Sequence, residues 1–335
     1  MKNNHEIKII ETPVILKQCI DTWKSISLLN GFLISSNKIY LLCRKSLKLA
    51  QVKSDIELDG YSISYQRLFE FQNSNFKLND NVLNSVFLNQ NKELTNKELN
   101  HLSICPLFNQ NYNELELLKK EFNPTLEIKT IHVANMNKIK QWNSSIYNEY
   151  DCDSMLYASS LFAQLLVIQP YSKLNHFAGI KFLNQWLVQL GHCQADILPI
   201  GYFFQKNNKQ LMDLLKEVKH HGFSQELTLQ VLKIIEKSAE VLLNQLIELN
   251  QLYEFYWELL SKYNLYKMNH VGLLNAIIEQ PYLRIKDIIR HTNCHRHSAS
   301  AYLFHLEKMG VIILQKDSKE KVYFNKKLFD CYIQF

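Results

Sequence analysis

Ile168-Gln169-Pro170-Tyr171-Ser172-Lys173-Leu174-Asn175-His176-Phe177-Ala178-Gly179-Ile180 is the stretch on which the fold turns. It joins two apolar segments. Before it, the 14 residues Met155 to Ile168 are apolar except for Ser159, Ser160 and Gln164. A membrane span needs roughly 20 apolar residues, so the segment reads as a buried helix. After it, a second helix is expected over 176–190. The N-terminus of such a helix carries free amides and the positive end of the helix dipole, and it attracts anions.

The stretch resembles the His-Pro-Phe-x-Asp-Gly-Asn-Gly-Arg-x-Gly-Arg motif of the Fic family, whose members transfer nucleotidyl groups from ATP to protein hydroxyls. Pro170, Tyr171, Asn175 and Gly179 fit its shape. The reactive positions do not fit. Gln169 stands where the family has its histidine base, and Lys173 where it has a metal-binding acid. Leu174 and His176 replace two phosphate-cradling glycines, and Phe177 and Ile180 replace both arginines. Nucleotidyl transfer needs a base, a carboxylate for Mg²⁺, cations on the phosphates and backbone free to approach them. Glutamine carries no titratable proton, and lysine reverses the charge a metal requires. The resemblance therefore implies the fold without the usual activity. No catalytic residue, cofactor or metal site is expected. ATP and Mg²⁺ enter only under an alternative, a protein adenylyltransferase with a site rearranged around Lys173, Asn175 and His176.

The resemblance continues outward. Met155–Ile168 looks like the helix entering the motif, Ile197–Phe203 like the segment after the motif helix, and Lys209–Val218 like the helix beyond. Ser54-Asp55-Ile56-Glu57 resembles the end of the family's inhibitory helix, whose glutamate pairs with the motif's second arginine. The resemblance makes Glu57 the counterpart of that glutamate, with Ile180 at its partner position.

Composition sets the frame. The chain has 335 residues, enough for more than one core, with 47% hydrophobic and 21% charged residues. Only 8 glycines and 6 prolines occur, which favours long helices and few turns. Met1 to Pro13 is polar and lacks a signal-peptide core. The 7 cysteines lack CxxC spacing, as expected for reduced thiols in a cytoplasmic protein. Of the net charge of +6, residues 269–335 carry ten Lys+Arg against six Asp+Glu, a local +4 that favours an anionic partner.

Helical spacing appears over Val14–Leu29, Lys38–Gln51 and Tyr61–Phe71, the last after an Asp59-Gly60 turn signal. Thr95-Asn96-Lys97-Glu98 reads as a capping box, Glu114–Phe122 as a helix, and Leu126–Val133 as a strand and candidate hairpin arm. Helices are expected over 135–148, 153–168, 176–190, 203–220 and 224–263. The last carries an apolar stripe of Leu229, Leu232, Ile235, Ala239, Leu242, Leu246, Leu249, Leu252 and Trp257.

From Asn269 the pattern becomes compact. Helices His270–Glu279, Arg284–His291 and Arg296–Met309 precede two strand-like runs, Val311–Leu314 and Val322–Asn325. This is the layout of a winged helix-turn-helix. Leu303, Leu306 and Gly310 match the end of the recognition helix in winged helices attached to Fic domains. His295, Arg296, His297, Ser298, Ser300 and Tyr302 fall at its N-terminal part, where such helices contact bases and phosphates. Cys294, His295 and His297 lack the second ligand pair of a zinc site.

The expectation is a mostly α chain, a Fic-like helical bundle followed by a small winged helix-turn-helix domain. The domains fall at 1–123 (N-terminal helices with the inhibitory-like segment), 124–263 (degenerate core) and 269–335. The expected function is a DNA-binding regulator, with a homodimer or a protein partner possible and no membrane association. A protein-interaction scaffold is the remaining alternative.

Overall fold

The computed structural model describes residues 11–60, 62–66, 68–69, 142, 152–169, 175–221, 224–262, 269–315 and 321–333. The expected features at 95–98, 114–122 and 126–133, most of the helix over 135–148, and the loop centre 170–174 lie outside these residues.

Eleven helices and three short strands are found among the described residues. They are α1 (Pro13–Ser35), α2 (Asn37–Glu57), α3 (Ser154–Ile168), α4 (Asn175–Gln189), α5 (Ile200–Lys206), α6 (Asn208–His221) and α7 (Gln225–Lys262). Then follow α8 (His270–Glu279), β1 (Tyr282–Leu283), α9 (Ile285–Thr292), α10 (Arg296–Lys308), β2 (Ile313–Gln315), β3 (Val322–Phe324) and α11 (Lys326–Tyr332). The chain is thus mostly α, as its low glycine and proline content predicts. No single described helix is long and apolar enough to cross a membrane.

The chain divides into two compact units. The first comprises Met1–Gly31, Gln51–Ser62 and Lys77–Glu240, and the second Phe32–Ala50, Ile63–Phe76 and Val241–Phe335.

In the first unit α3 and α4 form the core pair. Asp153 caps α3, its Oδ1 accepting from the Met155 and Leu156 amides at 2.9 and 3.2 Å. Phe162 on α3 meets Phe204 edge-on at 5.4 Å between ring centres, and both are buried. Burying a side chain of this size stabilises by about 1.5–3 kcal/mol. Gly179 lets the helices approach, since a Cβ there would meet Leu166 Cδ2 at 3.0 Å and Phe162 Cε2 at 3.2 Å. Asn184 on α4 holds the 197–199 segment by donating to the Leu198 carbonyl (3.2 Å) and accepting from the Leu198 amide (2.9 Å). Gln51 on α2 donates to the neighbouring Ile197 carbonyl. The Thr22 hydroxyl of α1 donates to the Leu232 carbonyl of α7 at 3.2 Å. The helix expected over 203–220 is two helices broken at Asn207, whose side chain bonds back to the Phe203 carbonyl at 3.0 Å. Such side-chain to backbone bonds compete with helix continuation.

In the second unit, β1, β3 and β2 form an antiparallel sheet in that order, with Leu283 and Leu314 both opposite Tyr323. The strand expected from Val311 begins at Ile313, because Val311 and Ile312 are spent on the turn leaving α10. That turn is a Schellman cap, with Gly310 at φ +71°, the Val311 amide on Leu306 O (3.0 Å) and the Gly310 amide on Glu307 O (2.9 Å). Neither β1 nor α11 was anticipated. Asn325 builds α11, accepting from the Leu328 amide (3.2 Å) and from Tyr256 OH (2.9 Å) while donating to Ile277 O (3.1 Å). On α7 the buried stripe runs through Leu249, Tyr253, Tyr256 and Leu260, so Trp257 falls one residue out of phase and is 40% exposed.

Candidate functional site

Gln169 closes α3. It takes the left-handed conformation (φ 48°, ψ 67°), and its amide bonds to Leu165 O at 3.1 Å. A non-glycine residue here is strained. Its side chain is exposed. Lys173 and Leu174 lie outside the described residues. Asn175 and His176 open α4 and are half-buried, while Phe177 and Ile180 face the core at 4% and 1% exposure. The two positions where the resemblance places phosphate-binding arginines therefore serve packing.

The anion-attracting end of α4 is occupied by a carboxylate of the chain itself. Asp59 Oδ2 accepts from the Phe177 amide at 3.0 Å, and Oδ1 accepts from the His176 amide at 3.3 Å. Oδ1 also lies 3.0 Å from His176 Nδ1. The side chains of Asp59 and His176 are 8% and 12% exposed. The sequence shows Asp59 only as half of a turn signal. Gly60, at φ +86°, supplies the left-handed residue that turns the chain after Asp59.

Glu57 ends α2 close by. Its Oε1 pairs with Lys53 at 2.5 Å, and its Oε2 accepts from Gln205 Nε2 at 2.9 Å. Two residues earlier Asp55 is buried against Gly201, where a Cβ would meet Asp55 Oδ1 at 2.0 Å. Burial pushes the Asp55 carboxyl up to about 8, against a lowering influence of Lys181 and a further raising one from Asp59. Its Oδ1 has no hydrogen-bond partner. No feature of the sequence marked Asp55 as buried, because a charged residue on an amphipathic helix is ordinarily solvated.

In the second unit α10 is anchored by Ala299, Leu303 and Leu306, each fully buried. It enters from Asn293, which ends α9 in the left-handed conformation (φ 53°, ψ 29°). His295, Arg296 and His297 are exposed, whereas Ser298, Ser300 and Tyr302 are half-buried. At 100° per residue, the row opposite the buried one is His297, Ala301, Phe304 and Lys308, and all four are exposed. Phe304 is 50% exposed, with Lys308 Nζ 4.6 Å from its ring centre. The sequence reading stopped at Tyr302 and missed Ala301, Phe304 and Lys308. Helical phase relative to Ala299, Leu303 and Leu306 would have found them. Among the described residues no cluster of three or more His, Cys, Asp or Glu is placed to hold a metal ion.

Residues 260–328 match the family described as protein adenylyltransferase SoFic-like, C-terminal domain. The fold is similar to the crystal structure of a Fic family protein from Desulfovibrio desulfuricans G20. The two share 10% sequence identity at a TM-score of 0.55, over 95% of this chain and 97% of that one. With its C-terminal segment matched to a domain of Fic-type adenylyltransferases and its helices arranged as in a Fic family structure, the chain has a Fic-like fold.

Proposed function

We propose that this protein is a DNA-binding regulator built on a Fic fold that transfers no nucleotide, with the C-terminal module acting as a winged helix-turn-helix. The observation that carries the DNA reading is the exposed start of α10, where His295, Arg296 and His297 stand clear of a helix fixed by Ala299, Leu303 and Leu306. A helix held on one face and basic at its free N-terminal end suits the major groove, its arginine reaching phosphate or guanine. The module's excess of Lys and Arg adds attraction for the DNA backbone.

The described residues do not fit a bound nucleotide with its magnesium. A phosphate at the start of α4 competes with Asp59 for the same amides and meets its negative charge at contact distance. Phe177 and Ile180 offer phosphate no cation, and Gln169 offers no base.

The deciding experiment is a mobility shift of random-sequence duplex DNA at several salt concentrations. Affinity should fall with salt, and Arg296→Ala should lower the slope of log K against log salt by about 0.9 if the arginine neutralises one phosphate. No affinity at low salt, or an unchanged Arg296→Ala variant, overturns the reading. Incubation with α-labelled ATP and Mg²⁺ addresses the other half. Label transferred to protein, and lost on His176→Ala, overturns the claim of no transfer.

A further inference from the structure

We propose that Ala301 and Phe304 set the DNA sequence preference of α10, by packing against the 5-methyl groups of thymines in the major groove. The proposal rests on the DNA-binding reading above and names what that surface recognises. The outward row of α10 changes character along its length: His297 is polar, Ala301 and Phe304 are apolar, and Lys308 is cationic, all four exposed. From His297 to Phe304 a helix rises about 10 Å, close to the width of the major groove and about three base-pair steps.

Within that groove only thymine presents an apolar group, and alanine and phenylalanine are among the side chains that contact it. Phe304 is 50% exposed where Leu303 and Leu306 are fully buried, which leaves half of its surface open to a partner. Lys308, stacked over the Phe304 ring at 4.6 Å, restrains the ring and holds a cation one turn beyond it, in position for a flanking phosphate. Hydrogen bonds from polar residues at the head of the helix would not distinguish thymine from uracil, since the two bases differ only in the methyl group.

That difference supplies the test. Duplexes enriched from a random pool by the full-length protein are resynthesised with dUTP in place of dTTP, which deletes every thymine methyl and keeps each hydrogen-bonding edge. The wild-type protein should bind the uracil duplexes about fourfold more weakly for each methyl it buries. Phe304→Ala should narrow the thymine-to-uracil affinity ratio, with a melting curve confirming that the variant is folded. Equal wild-type affinity for both duplexes overturns the proposal and leaves the DNA-binding reading standing. So does a thymine preference that is undiminished in Phe304→Ala. Absence of binding to any duplex at low salt removes the DNA-binding reading itself, and this inference with it.

Discussion

Asp59 Oδ2 lies 3.0 Å from the Phe177 amide, so a carboxylate from the turn after α2 caps a helix that begins 116 residues later in the chain. A long-range cap of this kind does two things at once. It satisfies free amides of α4, and it ties the end of α2 to the start of the motif helix.

Asp59→Ala should therefore destabilise the protein by about 1–2 kcal/mol, the usual cost of losing an N-cap. Urea denaturation reads this directly. Sulfate should restore part of the loss in the variant and have less effect on wild type, because the freed amides then bind an external anion. Equal stability of variant and wild type would mean that the cap contributes nothing in solution.

Asp55 should make stability fall as pH rises. Burial pushes its carboxyl up to about 8, above the ordinary value near 3.9 of an unfolded chain. Between those values the folded state holds a proton that the unfolded state has released. Its stabilisation is complete below the lower value and is lost as pH climbs through about 8. Melting temperatures from pH 5 to pH 9 should decline in wild type and less steeply in Asp55→Asn. Gly201→Ala should be more damaging, since its Cβ would stand 2.0 Å from Asp55 Oδ1 and 3.0 Å from the Asp55 Cα. Overpacking of this order costs about 1–3 kcal/mol.

Gln169→Gly should stabilise. The residue sits at φ 48°, where glycine avoids a Cβ penalty of about 1–2 kcal/mol, less glycine's larger loss of backbone freedom on folding. A net gain of up to about 1 kcal/mol in chemical denaturation is expected. A loss would show that the glutamine side chain makes compensating contacts.

Glu279 should give the opposite pH sign from Asp55. Burial alone would raise its carboxyl. Hydrogen bonding by His291 at 2.6 Å, with the charges of Arg290, His291 and Lys45, outweighs burial and holds it below the ordinary value. A depressed carboxyl stabilises above its unfolded value and loses that contribution as pH falls through the folded one. Glu279→Gln should cost about 1–3 kcal/mol near pH 7, and the gap between variant and wild type should close on acidification below about pH 4.

Much of the architecture was legible because apolar periodicity is local. Leu229, Leu232, Ile235 and Ala239 predict the face of α7 that is buried, and Ala299, Leu303 and Leu306 do the same for α10. Gly179 was readable as a motif position, and the structure supplies its reason in the approach of Phe162 and Leu166. Misreadings fell where individual side chains depart from the apolar pattern, through local bonds as well as distant ones. Asn207 breaks a continuous helical signal, Trp257 slips out of phase with the stripe it seemed to join, and Asn325 builds a helix from polar contacts to distant elements.

By itself the sequence determined a helical chain, the placement of its core faces and the absence of the motif's histidine, acid and two arginines from their positions, because these depend on residue type and spacing of a few positions. Only the tertiary structure decided that Asp59 seats on the amides of α4 and that Asp55 is sealed against Gly201. Each of these is a meeting of side chain with backbone or neighbour fixed by how helices cross. Burial and charge at such meetings depend on three-dimensional approach, to which hydrophobic periodicity along the chain is blind.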